Sequence, residues 1–335
     1  MPIKVIVVDD SFFMRKVISD ALNSDPDIKV IDTAKDGIEC LEKAVRLNPD
    51  VITLDIDMPI MDGLTALKHL TKEHPTPVIM LSALTREGAD ETFKALQYGA
   101  ADFVPKPSGM LDFDTVKEEL INKVKNISKV DLKKSLPKYI PSSIIEVPRK
   151  IKSKIIIIGA STGGPPAIED ILSRIPKLQV SIFIVQHMHP NFTRYFAERL
   201  NRKCIMGVME AKEDDRIETG KVLVAHGDYH LVIENEKVGL NKEPKVNSVR
   251  PSVDVTMKSA AEIYEDKVIG VLLTGMGKDG ANGLKTIKEK NGKTIVQDES
   301  TSIIFGMPKA AIDAGVADII APLHKIPQEI IKMLK

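Results

Sequence analysis

The sequence predicts an α/β chain made of two doubly wound parallel-sheet domains, and three observations predict it. Short runs rich in Val and Ile alternate with amphipathic stretches of helical period along most of the chain. The alternation fades after about Lys125, where a basic segment punctuated by prolines intervenes. The length, 335 residues, suits two cores better than one.

Taken in order, "KVIVVDD", "KVIDTA", "VITLDID", "PVIMLSA" and "ADFVPKP" read as strands, with "FMRKVISDALNS" and "GIECLEKAVRLN" among the helices between them. Strands separated by helices must run parallel, so helices cover both faces of a five-stranded sheet. The segment "ISKVDLKKSLPKYIPSSIIEVPRKIKSK" then carries Pro137, Pro141 and Pro148, and its basic residues outnumber Asp131 and Glu146. It reads as a semi-extended tether. The expected division is a first domain over 1–125, a linker over 126–152 and a second domain over 153–335. The second domain offers "KIIIIGAS", "VSIFIVQH", "KVLVAH", "HLVIENE", "KVIGVLLTGM", "KTIVQDE" and "DIIAPL" as strands. No internal repeat or low-complexity tract interrupts them.

Composition narrows the function classes. Hydrophobic residues make up 43% and charged residues 28%, the balance of ordinary folded cores. Basic and acidic residues number 47 each, so global charge gives no reason to expect a nucleic acid or an anionic membrane as partner. Two cysteines, Cys40 and Cys204, make no disulfide framework and suit a reducing compartment. "MPIKVIVVDD" enters a strand directly, and no apolar run approaches the ~20 residues of a membrane helix. A cytoplasmic protein without membrane insertion is expected.

In parallel sheets functional groups gather at the carboxyl ends of strands. Asp9 and Asp10 end the first strand, Asp55 and Asp57 the third, Ser82 the fourth and Lys106 the fifth. Carboxylates crowded at one edge repel unless a hard cation sits among them, and Mg²⁺ takes such ligands together with phosphate. A lysine and a hydroxyl opposite the ion suit the oxygens of a phosphoryl group.

In the second domain "IIIIGASTGGPP" runs a buried strand into a glycine-rich turn and two prolines suited to a first helical turn. Gly159, Ser161 and Gly163 spell G-x-S-x-G, the spacing of an exposed serine nucleophile. A plainer reading makes Ser161 a helix N-cap. A nucleophile needs a base and an orienting acid. Among His187, His189, His226, His230 and His324, His187 ends the apolar strand "SIFIVQH", and Asp279 lies in the turn of "LLTGMGKDGANG". Two rivals compete. Gly275, Gly277 and Gly280 spell G-x-G-x-x-G with Asp298 about 20 residues on, a dinucleotide fingerprint. His187 with His189, or His226 with His230, offers histidine pairs to a hydrolytic metal.

"VVDDS", "LDIDMPIMDGL", "MLSA" and "DFVPKP" closely resemble response-regulator receiver domains, which have a flavodoxin-like fold. The resemblance implies that Asp55 accepts phosphate from a histidine kinase. It implies that Asp9, Asp10 and the backbone carbonyl of Asp57 organise Mg²⁺ with Asp55, that Ser82 and Lys106 contact the phosphoryl group, and that Phe103 is a switch aromatic. "IGASTGGP", "QHM", "FTRYFAERLN", "RPSVDV", "LLTGMGKDGANG" and "FGMPKAA" resemble the chemotaxis protein-glutamate methylesterases, over nearly all of residues 154–335, with a Rossmann-like α/β/α fold. That resemblance implies a serine esterase acting on glutamate methyl esters of chemoreceptor helices, commonly with glutaminase activity, and needing no cofactor for the ester chemistry. Ser161 would be its nucleophile, His187 its base and Asp279 the base's partner, with Thr162 and the Met276 amide supporting the site and His189 outside it. The alternative is a receiver fused to a nucleotide-binding, non-hydrolytic signalling module. A further expectation is that the unphosphorylated receiver restricts access to Ser161.

Overall fold

A computed structural model describes residues 1–106, 110–129, 151 and 155–334, and the chain divides into two units, Met1–Leu136 and Pro137–Lys335. Most of the expected linker, 126–152, lies outside the described residues; its first two residues still belong to a helix that ends at Ile127.

In the first unit β1 (Ile3–Val8), β2 (Ile28–Ala34), β3 (Val51–Asp55), β4 (Val78–Ser82) and β5 (Asp102–Pro105) form a parallel sheet in the order β2-β1-β3-β4-β5. The five helices between and after them are α1 (Phe12–Asn23), α2 (Gly37–Leu47), α3 (Gly63–Glu73), α4 (Arg86–Gln97) and α5 (Met110–Ile127). Helix starts are set locally. The side chains of Ser11, Asp36, Asp62 and Thr85 each accept a hydrogen bond from an N–H of the first turn. Val5 to Val8 are fully buried, and so are Ile52 and Leu54, because both faces of these central strands are covered. Strand order reverses at β1, which places the ends of β1 and β3 side by side at the switch point.

In the second unit seven strands run parallel in the order β14-β13-β12-β6-β7-β9-β8. They are β6 (Ile155–Ala160), β7 (Ser181–Gln186), β8 (Gly207–Glu210), β9 (Lys221–Val224), β12 (Val268–Leu272), β13 (Lys293–Gln297) and β14 (Ile319–Ala321). The helices are α6 (Gly164–Arg174), α7 (Pro190–Lys203), α8 (Val253–Tyr264), α9 (Ala281–Glu289), α10 (Met307–Asp313) and α11 (Ile326–Met333). "HLVIENE" is a strand, but it belongs to a separate antiparallel hairpin, β10 (His230–Glu234) with β11 (Lys237–Asn241). Ile155 to Ile158 have no exposed surface, since β6 sits at the middle of the sheet with helices on both sides. All strands of the large sheet point their carboxyl ends to one rim, and the loops there carry the candidate residues.

Candidate active site

In the first unit Asp9 and Asp55 are buried and Asp10 is exposed, and one carboxylate oxygen from each lies within 4.8 Å of the others. Lys106 reaches both buried acids, at 2.9 Å from Asp9 Oδ2 and 2.7 Å from Asp55 Oδ2. Burial pushes the Asp55 carboxyl up to about 6 against the pull of Lys106, and the neighbouring Asp9 charge adds to the rise. The lysine's own loss of hydration is outweighed by Asp55 and Asp9, which hold its ammonium above the ordinary lysine range. Three acids facing one ammonium are short of positive charge, so the donor set fits an added hard cation. Asp57 is exposed. Ser82 is buried and its hydroxyl is engaged with α4: it donates to Gly88 O at 3.1 Å and accepts from Thr92 Oγ1 at 2.5 Å. Phe103 is buried edge-on against Phe93, ring centroids 6.3 Å apart.

In the second unit Ala160 of β6 pairs with Gln186 of β7, so Ser161 and His187 are the next residue on adjacent strands. His187 N–H donates to Ala160 O at 3.0 Å, and Ser161 N–H donates to Thr274 O at 3.0 Å beyond β12. The Gln186 side-chain amide donates to both Ser161 O and His187 O, at 2.9 and 3.0 Å, and so ties the two peptides together. Helix α6 begins on Gly163, whose φ of 76° favours glycine, and no side chain caps it. Ser161 is therefore not an N-cap. Its hydroxyl accepts and donates no hydrogen bond among the described residues, and the nearby Met276 N–H donates to no backbone carbonyl among them.

Asp279 is 2% exposed and crosses over the end of β6 to reach the β7 histidine: its Oδ2 accepts from His187 Nε2 at 2.8 Å. Although burial opposes ionisation, the hydrogen bonds from His187, Ser252 and the Val253 N–H hold the Asp279 carboxyl down at about 2. The acid is thus ionised at neutral pH, beside an imidazole whose Nδ1 is left for another proton. Thr162 is buried and its carbonyl accepts from Thr274 Oγ1 at 3.0 Å, so it braces the turn.

Neither rival fits. In a dinucleotide site the helix amides after the glycine-rich turn hold a pyrophosphate. Here Asp254 Oδ1 takes those amides, accepting from Gly280 N–H at 3.0 Å and Gly283 N–H at 2.6 Å. Asp298, the would-be ribose ligand, accepts from Thr301 N–H and Oγ1 instead. The histidines do not converge on a metal. His189 caps α7, accepting from Asn191 N–H; His226 donates to Gly227 O; and His230 accepts from Ser252 N–H while donating to Pro244 O. Among the described residues the group able to hold a metal is the acid cluster of the first unit. What the sequence missed were Gln186, Asn247, Ser252 and Asp254, polar side chains behind the rim. "RPSVDV" was the one stretch that flagged two of them, without a role.

Comparison with known proteins agrees with both units. The family model described as CheB methylesterase matches residues 156–330, and the response regulator receiver domain model matches residues 5–116. A protein-glutamate methylesterase/protein-glutamine glutaminase of Pyrococcus horikoshii is 47% identical, covering 99% of this chain and 94% of its own. Its counterpart from Thermotoga maritima is 45% identical, over 99% and 98%. The crystal structure of the Thermotoga maritima CheB methylesterase catalytic domain superposes with a TM-score of 0.52 at 43% identity, covering 54% of this chain and 99% of that one.

Proposed function

Since the chain belongs to the protein-glutamate methylesterase/protein-glutamine glutaminase family, a receiver joined to a CheB methylesterase domain, its activity is ester hydrolysis under receiver control, and we propose that Ser161, His187 and Asp279 perform it. The observation that carries the assignment is the 2.8 Å His187–Asp279 pair spanning the end of the strand that presents Ser161.

Because Nε2 of His187 is held by Asp279, Nδ1 is the nitrogen that takes the Ser161 proton. The freed oxygen attacks the carbonyl carbon of a glutamate γ-methyl ester. Asp279 stabilises the imidazolium and fixes its tautomer without taking the proton. The Met276 N–H, which donates to no backbone carbonyl among the described residues, is the donor offered to the developing oxyanion, one such donor being worth about 10²–10³ in rate. As the tetrahedral species collapses, His187 gives its proton to the leaving methoxide and methanol departs. Water, deprotonated by the same nitrogen, then hydrolyses the acyl-enzyme, leaving a glutamate side-chain carboxylate on the receptor and restoring the Ser161 hydroxyl. With glutamine the same path releases ammonia.

The substrates are the cytoplasmic helices of methylated chemoreceptors, which places the reaction in the cytoplasm; among the described residues no helix is long and apolar enough to cross a membrane. In the receiver, Asp55 accepts a phosphoryl group from the chemotaxis histidine kinase. Asp9, Asp10 and Asp55, with the Asp57 carbonyl, are the residues that would hold Mg²⁺, which when bound neutralises phosphoryl charge. Lys106 then holds a phosphoryl oxygen, and Ser82 joins it once its hydroxyl leaves Gly88 and Thr92. The test is Ser161→Ala: methanol release from methylated receptor membranes should fall by about 10⁶ in kcat with the fold intact. A folded variant retaining more than a few per cent of turnover would overturn the assignment.

A further inference from the structure

Asp279 does not stand alone. Its Oδ1, the oxygen turned away from His187, accepts from Ser252 Oγ at 2.6 Å, from Asn247 Nδ2 at 3.0 Å and from Asp254 N–H at 3.3 Å. The same Asn247 amide nitrogen donates to Asp254 Oδ2, also at 3.0 Å. Asp254 is 1% exposed and its other oxygen holds the Gly280 and Gly283 amides, which fixes the turn that carries Asp279. Two buried carboxylates therefore share one neutral amide, and among the described residues no lysine or arginine pairs with either. Like charges so placed repel in a low dielectric, and an apolar core would be the cheaper way to build mere stability. The arrangement makes sense if the orientation of one carboxylate is what is being held.

The loop that supplies Asn247 is itself pinned. Arg250 donates to Asp228 Oδ1 at 2.6 Å and to the carbonyls of Lys242 and Glu243 at 3.0 and 2.9 Å. Asn247 has a φ of 52°, a left-handed conformation that asparagine and glycine tolerate best. Its amide thus arrives at the two acids on a fixed backbone.

We infer that Asn247, with Ser252, is a positioning residue for the esterase: by holding Asp279 Oδ1 alongside the Asp254 N–H it aims Oδ2, and through it the His187 ring, at Ser161. This rests on the reading of Ser161, His187 and Asp279 as the reacting group. Asn247 touches no substrate; it acts through Asp279.

The experiment compares steady-state hydrolysis by the full chain and its Asn247→Gly and Asn247→Asp variants. Glycine keeps the left-handed backbone and deletes the donor; aspartate keeps the shape and turns a third carboxylate on the other two. Asn247→Gly should lower kcat about 10- to 100-fold with KM within about twofold, the cost of a slightly misaimed base. The acid limb of its pH–rate profile should move to higher pH, because an Asp279 charge shared among fewer donors grips the imidazole proton harder. Asn247→Asp should be slower still. A role limited to the loop's backbone predicts a glycine variant with wild-type kcat and an unmoved acid limb, and that result overturns the inference. Ser252→Ala repeats the test should Asn247→Gly fail to fold, with the same two outcomes. Asp279→Asn serves as the reference. If it is inactive while Asn247→Gly is normal, the inference alone is wrong; if it too is active, the reading beneath it is wrong.

Discussion

His187 and His189 are two residues apart and take opposite parts. The strand ends at Gln186, so His187 is held by the sheet and donates to Asp279, whereas His189 is already beyond the rim and caps α7. His187→Ala should lose at least about 10³ in kcat, as expected for a triad member acting as base. His189→Ala should keep near-normal turnover and lose about 0.5–1 kcal/mol of stability, the usual cost of a deleted cap, seen as a small drop in denaturation midpoint. An inactive His189→Ala would reverse the assignment. Asp279 adds a pH dependence of known sign. Its folded carboxyl is held at about 2 and an ordinary aspartate lies at 3.8, so its ionisation stabilises the fold above the higher value and that contribution is lost as pH falls through the lower one. Denaturant titrations of wild type and Asp279→Asn should therefore show a wild-type stability that falls relative to the variant, by roughly 2 kcal/mol, between about pH 4 and pH 2. A stability difference that stays constant over that window would contradict it.

At the scale of elements, the strand–turn–helix unit of β6 and α6 works because a neighbouring turn comes unusually near it. A Cβ built on Gly275 would lie 2.8 Å from Ser161 Cβ and 2.3 Å from Met307 Sδ. Gly275→Ala should push the Ser161 turn off its place, lowering kcat by about 10²-fold or more in a protein that still folds; unchanged kcat would show that the turn yields instead. This also marks what a sequence can and cannot disclose. Ser161, His187 and the receiver acids were legible because each stands at or just beyond the end of an apolar run, where strand periodicity makes position and exposure readable, whereas Asp279 was legible from the glycine-rich turn that follows β12. Gln186 reads as the last residue of a strand, and nothing local says that its amide spans two peptides. Asp254 reads as an acid favourable in a helix's first turn. That it fills the anion cradle of another helix, and so silences the dinucleotide fingerprint at Gly275, Gly277 and Gly280, depends on packing α8 against α9. The short edge strand "GVME" was hidden for a similar reason: such a strand's direction and neighbours are decided by partners distant in sequence, not by its own pattern. The β10–β11 hairpin, by contrast, is local and escaped notice because its Asn235-Glu236 loop lacks the glycine of the usual two-residue turns.

For the whole molecule, a receiver offers no hydrolytic group to an ester, so its value to the chain is control. If the unphosphorylated receiver restricts Ser161, a fragment starting near Ile151 should be faster than the unphosphorylated full chain by about 5- to 150-fold, the range of an ordinary coupling energy. An acyl-phosphate donor with Mg²⁺ should close that gap for the full chain, and Asp55→Ala should keep it open. A fragment no faster than the full chain would leave recruitment of substrate as the receiver's role. The strand order of the second unit has a further consequence, one of timing. β6 is the first strand of that sheet to be synthesised, yet it lies in the middle, and its neighbour β12 follows it by about a hundred residues. A growing chain thus holds its serine, and soon its histidine, long before the aspartate exists to orient them. On the proposed assignment, hydrolytic power would arrive only when the late strand closes the open edge of the early one, and chains stopped before it would not attack esters. Turnover is then a readout of finished assembly: in refolding, activity should return no earlier than amide protection of Val268–Leu272.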